Sequence, residues 1–140
     1  VIEMNQLYLP HLHKNNGRAV IISSIGAITP MPKSSIYASA KAAIHAYGRS
    51  VNKESKNVKV TVSLPGYVRT NAHKRSGLDH LEKKIPNWMW VSAEQVVIET
   101  EKASKKGLND VVPGKVYKLT KPFLNSNLAN RIWSKLSKRS

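Results

Sequence analysis

Three side chains between positions 24 and 41 have the chemistry to move a proton on and off an oxygen atom. Tyr37 and Lys41 are 41 − 37 = 4 residues apart, so on a helix they share one face, one turn apart. An ammonium group beside a phenol favours the phenolate and lowers the phenol pKa from about 10 toward neutrality. A phenol tuned in this way can act as a general acid or base. Ser24 adds a hydroxyl that can hydrogen-bond a substrate oxygen.

These side chains need a strand, a loop and a helix to hold them together. Residues 19–22, Ala-Val-Ile-Ile, predict a strand. Because the apolar run is continuous rather than alternating, we expect it to be buried on both faces. Ser24 follows at the carboxyl end of this strand, where ligands bind in open α/β sheets. A loop punctuated by glycine and proline covers 25–33, and the helix predicted over 35–53 carries the tyrosine and the lysine.

A second strand is predicted over 57–64, where three valines alternate with Lys59, Thr61 and Ser63. A strand, a helix and a strand form a βαβ unit, so the two strands should be parallel. Pro65-Gly66 then ends the second strand at the same edge of the sheet as Ser24. The spacing predicts that these segments lie close together.

The chain contains a second set of residues with the same spacing. Tyr117 and Lys121 are also four apart, and Ser104 precedes Tyr117 by 117 − 104 = 13, as Ser24 precedes Tyr37 by 37 − 24 = 13. Context separates the two sets, because Pro122 disfavours a helical conformation at Lys121. Ser104 lies in a lysine-rich helical pattern and not at the end of an apolar strand. We therefore interpret Tyr117 and Lys121 as structural or surface residues.

Three motifs together resemble the central signatures of the short-chain dehydrogenase/reductase family. They are Ile22-Ser23-Ser24, Tyr37-Ala-Ser-Ala-Lys41 and the run Pro65-Gly66-Tyr67-Val68-Arg69-Thr70. The resemblance covers roughly residues 1–75 well and the rest more loosely. It implies an α/β fold, the carboxyl-terminal half of a Rossmann-like doubly wound parallel sheet. It also implies hydride transfer between a nicotinamide cofactor, NAD or NADP, and a carbonyl or alcohol substrate.

The resemblance assigns roles to individual residues. Tyr37 would be the general acid or base, Lys41 would stabilise its phenolate and bind the nicotinamide ribose, and Ser24 would hold the reacting oxygen. Pro65 and Gly66 would let the chain pass close to the nicotinamide. The backbone of Val68 and the hydroxyl of Thr70 would hold the carboxamide of the cofactor. The full cofactor-binding set is Tyr37, Lys41, Pro65, Gly66, Val68 and Thr70.

The region after the third motif is less patterned. Residues 71–92 correspond to the family's variable substrate lid, in which Trp88 and Trp90 either line a substrate pocket or pack onto the domain. Ser92 and Gln95 predict a capped helix that ends near Gly107. A short edge strand is predicted over 110–116. Residues 120–140 predict a basic amphipathic helix that docks on the domain or lies on an anionic membrane.

The family's glycine-rich dinucleotide turn and its active-site asparagine have no match in these 140 residues. We therefore expect this chain, 1–140, to be a partial NAD(P)-binding domain from the carboxyl-terminal half of a longer enzyme. By resemblance, the helix carrying the tyrosine motif and the helix before the first strand would form a homodimer or homotetramer interface. A truncated, non-catalytic relative that acts as a binding module is the alternative.

The composition bears on whether the protein binds nucleic acid, a metal or a membrane. There are 23 Lys and Arg against 8 Asp and Glu, a formal charge of +15. Such a charge indicates either attraction to an anionic partner or a solvated lysine surface without a specific partner. No nucleic-acid motif accompanies the lysines, so we expect no nucleic-acid partner, although a basic membrane- or nucleic-acid-associated protein stays an alternative. There is no cysteine, and the five histidines have no ligand spacing, so no metal is predicted. No apolar run reaches the ~20 residues of a membrane span, and the expected location is the cytoplasm.

Overall fold

The computed structural model describes residues 1–31, 33–70 and 85–120. In chain order its helices and strands are α1 (Ile2–Lys14), β1 (Arg18–Ile22), α2 (Ser35–Glu54), β2 (Lys59–Ser63), β3 (Tyr67–Arg69), β4 (Trp90–Ser92), α3 (Ala93–Lys105), β5 (Asp110–Val111) and α4 (Lys115–Thr120). Two short 3-10 turns cover Ile25–Ala27 and Asn87–Met89. The predicted helix over 35–53 and the strands over 19–22 and 57–64 are confirmed within two residues at each end, and a helix, α1, precedes the first strand as expected.

The strands form two parallel sheets in the described part of the chain. The larger has the order β1-β2-β5, with Arg18 opposite Lys59, Ile22 opposite Ser63 and Val62 opposite Asp110. The smaller pairs β3 with β4. The first sheet confirms the predicted βαβ unit, because β1 and β2 are parallel and α2 connects them. Their carboxyl ends therefore lie at the same edge of the sheet.

Helices cover both faces of the central strand β2. A Cβ atom added to Gly48 of α2 would lie 2.5 Å from Cγ2 of Val62, so α2 lies against the face formed by the valines. On the opposite face, the Ser63 Oγ atom lies 2.8 Å from Oγ1 of Thr100 in α3. Thr61 donates its hydroxyl to the carbonyl of Leu108 at 2.6 Å. Thr61 and Ser63 are thus as buried as the valines of this strand.

The expectation that β1 is buried on both faces is wrong in the described structure. Ile21 is 2% exposed, whereas Val20 is 42% and Ile22 is 51% exposed. Ile21 lies on the face covered by α2, and its neighbours point to the other face. On that side, Arg18 at the start of β1 bonds Ser104 and Glu101 of α3. Val20 and Ile22, further along the strand, stay exposed.

The carboxyl-terminal elements agree in part with the prediction. The Ser92 hydroxyl accepts a hydrogen bond from the Gln95 amide at 3.0 Å, and Gly107 after the helix has a φ of +67°, so both helix ends are confirmed. Val97 of this helix is 65% exposed. The strand predicted over 110–116 is limited to β5, because the chain turns at Gly114 and enters α4. Residues 71–84 of the lid and the helix predicted after residue 120 lie outside the described residues.

Candidate functional site

Ser24 lies directly after β1, at the edge of the sheet where the prediction placed it. It is 8% exposed, and its Oγ atom accepts a hydrogen bond from the amide of Gly26 at 3.1 Å. This bond caps the short turn Ile25–Ala27. A serine hydroxyl that accepts one hydrogen bond still has its own proton to donate. The structure therefore fixes the orientation of this side chain and leaves it able to bind an oxygen atom.

Ser23 is a structural partner of the site that the sequence reasoning did not single out. Its hydroxyl donates to the backbone carbonyl of Lys41 at 2.8 Å, and its amide donates to the carbonyl of Ser63 at 2.8 Å. These two bonds connect the end of β1 to α2 and to the end of β2. The pair of serines after the strand could have indicated this role, because one hydroxyl can bond the backbone of the fold while the next faces a ligand.

Tyr37 and Lys41 lie on one face of α2, as their spacing predicts. Tyr37 is in the first turn of the helix and is 46% exposed. The Lys41 Nζ atom lies 5.7 Å from the centroid of the Tyr37 ring, within the range of a cation–π contact. The lysine charge is thereby held beside the phenol, and the phenol is accessible to a ligand.

The Pro65-Gly66 segment meets the first motif directly. The amide of Ile25, the residue after Ser24, donates to the carbonyl of Pro65 at 2.9 Å. The helix of the second motif is joined to the same edge, because the Ser23 hydroxyl donates to the Lys41 carbonyl at 2.8 Å. The three motifs predicted from the sequence therefore meet at one edge of the sheet.

Gly66 has a packing role that the sequence did not reveal. A Cβ atom at this position would lie 2.0 Å from Cζ of Tyr117, so the tyrosine ring occupies the space that any side chain would need. Tyr117 is 4% exposed. Burial raises its pKa to about 12. The interpretation of Tyr117 as structural is confirmed, but it lies against the third motif.

The tryptophan region packs against β3. The Trp90 ring lies 5.7 Å from the ring of Tyr67 and 5.4 Å from the Arg69 guanidinium carbon. Its indole Nε1 donates to the carbonyl of Ile85 at 3.2 Å. Trp88 is 65% exposed. Trp90 is therefore half-buried through its contacts with β3, and Trp88 projects toward solvent.

The remaining cofactor residues of the prediction follow Gly66 along β3. Val68 is half-buried and pairs with Val91 of β4. Thr70 is exposed just beyond the strand. Both lie on the chain segment that begins beside Ser24, so their placement agrees with a continuous binding strip.

Over residues 1–31, 33–70 and 85–120, no group of three His, Cys, Asp or Glu side chains could hold a metal ion. His45 instead pairs with Asp110, with 3.0 Å between Nε2 and Oδ1, which joins α2 to β5. Within the same ranges, no helix combines the length and apolar character that crossing a membrane requires.

Comparison with known proteins identifies the family. A profile described as short chain dehydrogenase matches residues 1–80. Among curated proteins, the 11-beta-hydroxysteroid dehydrogenase-like 2 of Arabidopsis thaliana is 39% identical over 64 residues, 45% of this chain and 21% of its own. Estradiol 17-beta-dehydrogenase 2 of Rattus norvegicus is 37% identical over 87 residues, 60% of this chain and 23% of its own. The chain belongs to the short-chain dehydrogenase family.

Solved structures agree on the fold. A short-chain dehydrogenase from Sphingobium yanoikuyae in complex with NADPH superposes with a TM-score of 0.68 at 20% identity, covering 89% of this chain and 48% of that one. A 7beta-hydroxysteroid dehydrogenase gives a TM-score of 0.71 at 22% identity, covering 90% and 49%. The chain thus spans about half the length of these structures and less than a quarter of the two curated relatives.

Proposed function

We propose that the protein carrying this chain is an NAD(P)-dependent oxidoreductase that interconverts a carbonyl and an alcohol, with Tyr37 as its general acid or base. One observation carries the proposal: the three motifs meet at one sheet edge. The bond from the Ile25 amide to the Pro65 carbonyl, 2.9 Å, brings Ser24 beside the third motif. The bond from Ser23 to the Lys41 carbonyl, 2.8 Å, brings the helix of the second motif to the same edge.

The residues at this edge fit the nicotinamide end of the cofactor. The Lys41 ammonium would bind the ribose hydroxyls, and the Thr70 hydroxyl, just beyond β3, would bind the carboxamide. The bound cofactor would supply or accept the hydride. Solved relatives were obtained with NADPH or NADP, which supports a nicotinamide dinucleotide and leaves both NAD and NADP as candidates.

The protein side chains would manage the proton and the developing charge. Tyr37 would give its hydroxyl proton to the substrate oxygen during reduction and take it back during oxidation. Lys41, 5.7 Å from the ring centroid, would stabilise the phenolate that remains. Ser24 would donate a hydrogen bond to the same oxygen, which holds it in place beside the phenol.

The names of the relatives suggest which alcohols to test first. Several are hydroxysteroid or estradiol dehydrogenases, so the substrate we propose is a secondary alcohol or ketone on an apolar skeleton. The exposed Trp88 and the half-buried Trp90 are apolar surfaces near the third motif and are our candidates for contact with that skeleton.

The proposed assembly is a homodimer or homotetramer in the cytoplasm. Its support in this chain is the surface of α1 and α2, where large apolar side chains are exposed. Met4 is 54%, Leu7 is 74% and Ile36 is 87% exposed. A second copy of the protein would remove such side chains from water. A weak contact between the basic segment after residue 120 and an anionic membrane also stays a proposal.

The test is reductase and dehydrogenase activity of the purified protein carrying this sequence, with NADH and NADPH and a panel of steroid ketones and alcohols. Tyr37→Phe should lower kcat by roughly 10²–10⁴, the usual range for a lost general acid or base. Tyr8→Phe is the matched control, because it removes an exposed hydroxyl from α1. Activity of Tyr37→Phe equal to that of the control would refute the assignment. A wild type without turnover or cofactor binding would favour the non-catalytic alternative.

A further inference from the structure

Tyr117 lies outside the three motifs, yet its side chain bonds two segments of the candidate site. Its hydroxyl donates to the carbonyl of Met89 at 2.7 Å and accepts from the amide of Tyr67 at 3.1 Å. We propose that Tyr117 is a positioning residue that fixes the Pro65–Tyr67 cofactor segment against the Met89–Trp90 substrate segment. This inference rests on the proposed function, which gives those two segments their roles.

The ring and the hydroxyl of Tyr117 hold the same segment in two ways. The ring lies so close to Gly66 that a Cβ atom there would be 2.0 Å from Cζ and 2.4 Å from Cε1. The hydroxyl then bonds the next residue along the chain, at its backbone amide. Packing against one residue and a hydrogen bond to its neighbour together leave the backbone at Gly66 little freedom to move.

The hydroxyl is suited to a permanent connection because it keeps its proton. Tyr117 is 4% exposed, and burial raises its pKa to about 12. At physiological pH the group therefore stays a phenol, which can donate to Met89 while it accepts from Tyr67. Tyr37, by contrast, is 46% exposed. One tyrosine is placed to hold backbone and the other to meet a ligand.

The position of Tyr117 is itself fixed by bonds from its own chain segment to α3. Its neighbour Lys118 forms an ion pair with Glu99 of α3, with 2.6 Å between Nζ and Oε2. The same carboxylate accepts from the amide of Gly114 at 3.3 Å, just before α4 begins. Because α3 packs on the main sheet, α4 is anchored to the body of the domain. Tyr117 thus connects the two site segments to α3 through α4.

The experiment compares Tyr117→Phe with the wild type and with the control Tyr8→Phe. Phenylalanine keeps the ring over Gly66 and removes only the hydroxyl. Hydrogen exchange at the Tyr67 amide, measured by NMR, should become roughly three- to tenfold faster, the factor that corresponds to one lost hydrogen bond. In the active protein, the KM for NADPH should rise by a similar factor while kcat changes by less than about twofold, because the proton donor is untouched.

The outcomes separate the inference from the function on which it rests. An active wild type and a Tyr117→Phe variant with unchanged exchange at Tyr67, or with unchanged KM for NADPH, would overturn the inference alone. A purely structural role would lower the urea midpoint without the split between KM and kcat. A wild type that neither binds nor uses NADPH would overturn the proposed function. Faster exchange at Tyr67 would then still support the coupling of the two segments, and unchanged exchange would refute it.

Discussion

Gly48 lies where α2 comes closest to the sheet, and we predict that Gly48→Ala destabilises the protein although alanine is the better helix former. The added Cβ would lie 2.5 Å from Cγ2 of Val62 and 3.4 Å from Cδ1 of Ile21. Carbon atoms in good contact are about 3.5–4.0 Å apart, so the overlap with Val62 is about 1 Å. Val62 is 0% exposed, so the displaced methyl group would have to move within the buried core.

Two effects of opposite sign decide the magnitude. Alanine is favoured over glycine inside a helix by about 1 kcal/mol, whereas forcing a methyl group into a packed core costs about 1–3 kcal/mol. Because Val62 is enclosed and Ile21 is 2% exposed, we expect a cost near the upper end. The net loss of unfolding free energy for Gly48→Ala should be about 1–2 kcal/mol.

A double-mutant cycle tests this reasoning directly. Val62→Ala removes the atom that the new methyl would strike, so in that background Gly48→Ala should stabilise by about 1 kcal/mol. The coupling between the two changes should then be about 2–3 kcal/mol, since contacting residues are not additive. Ala46→Gly, at an exposed position of the same helix, is the matched control and should cost about 1 kcal/mol.

Urea denaturation followed by circular dichroism gives each free energy. The reasoning is refuted if Gly48→Ala stabilises the wild type by as much as Ala46→Gly destabilises it, because α2 would then not be in close contact with β2. A functional consequence follows in the active protein. Since α2 carries Tyr37 and Lys41, a helix displaced by about 1 Å should also lower kcat, by up to roughly 10².

Two further changes test the surroundings of the site. Gly66→Ala should cost at least about 2 kcal/mol, because its Cβ would lie 2.0 Å from Cζ of the buried Tyr117; a urea midpoint equal to that of the wild type would contradict this packing. Burial alone would raise the pKa of Glu99, but hydrogen bonds led by that from Lys118 outweigh it and hold the pKa below its ordinary 4.5. A lowered carboxyl pKa stabilises the fold above the ordinary value, and this contribution is lost as pH falls through the folded value. Glu99→Gln should therefore lower the free energy of unfolding at pH 7, and this loss should shrink below about pH 4. The exposed control Glu101→Gln should have a smaller effect. A difference in unfolding free energy between Glu99→Gln and the wild type that does not vary with pH would contradict the prediction.

The order of elements could be predicted because each has a strong local signal. The apolar run before Ser24, the helical spacing over 35–53 and the alternating valines over 57–64 each specify one element. Parallel pairing of the two strands then follows from the helix between them. The meeting of the three motifs could be predicted for the same reason, since they lie at ends of these elements. The bonds from Ser23 and Ile25 that join the motifs depend on backbone geometry and could not.

Burial could not be predicted strand by strand. The continuous apolar run of β1 leaves Val20 and Ile22 about half exposed, whereas β2, with alternating polar residues, is buried on both faces. The difference comes from position: β2 is the middle strand of the described sheet and β1 lies at its edge. Thr61 and Ser63 tolerate burial because each hydroxyl has a partner from the α3 side of the sheet. Sequence pattern reports what a strand can bury, and topology decides what it does bury.

Two tyrosines with identical spacing illustrate the same limit at the site. Tyr37 and Tyr117 each follow a serine by thirteen residues and precede a lysine by four. Context along the chain separates the reactive candidate from the other, but it does not reveal that Tyr117 lies against the same site. Its bonding partners, Met89 and Tyr67, are 28 and 50 residues away in the chain, and neither carries a local signal of the contact. The glycine at position 66 was the one visible trace, because it leaves room for a ring that only the folded structure brings there.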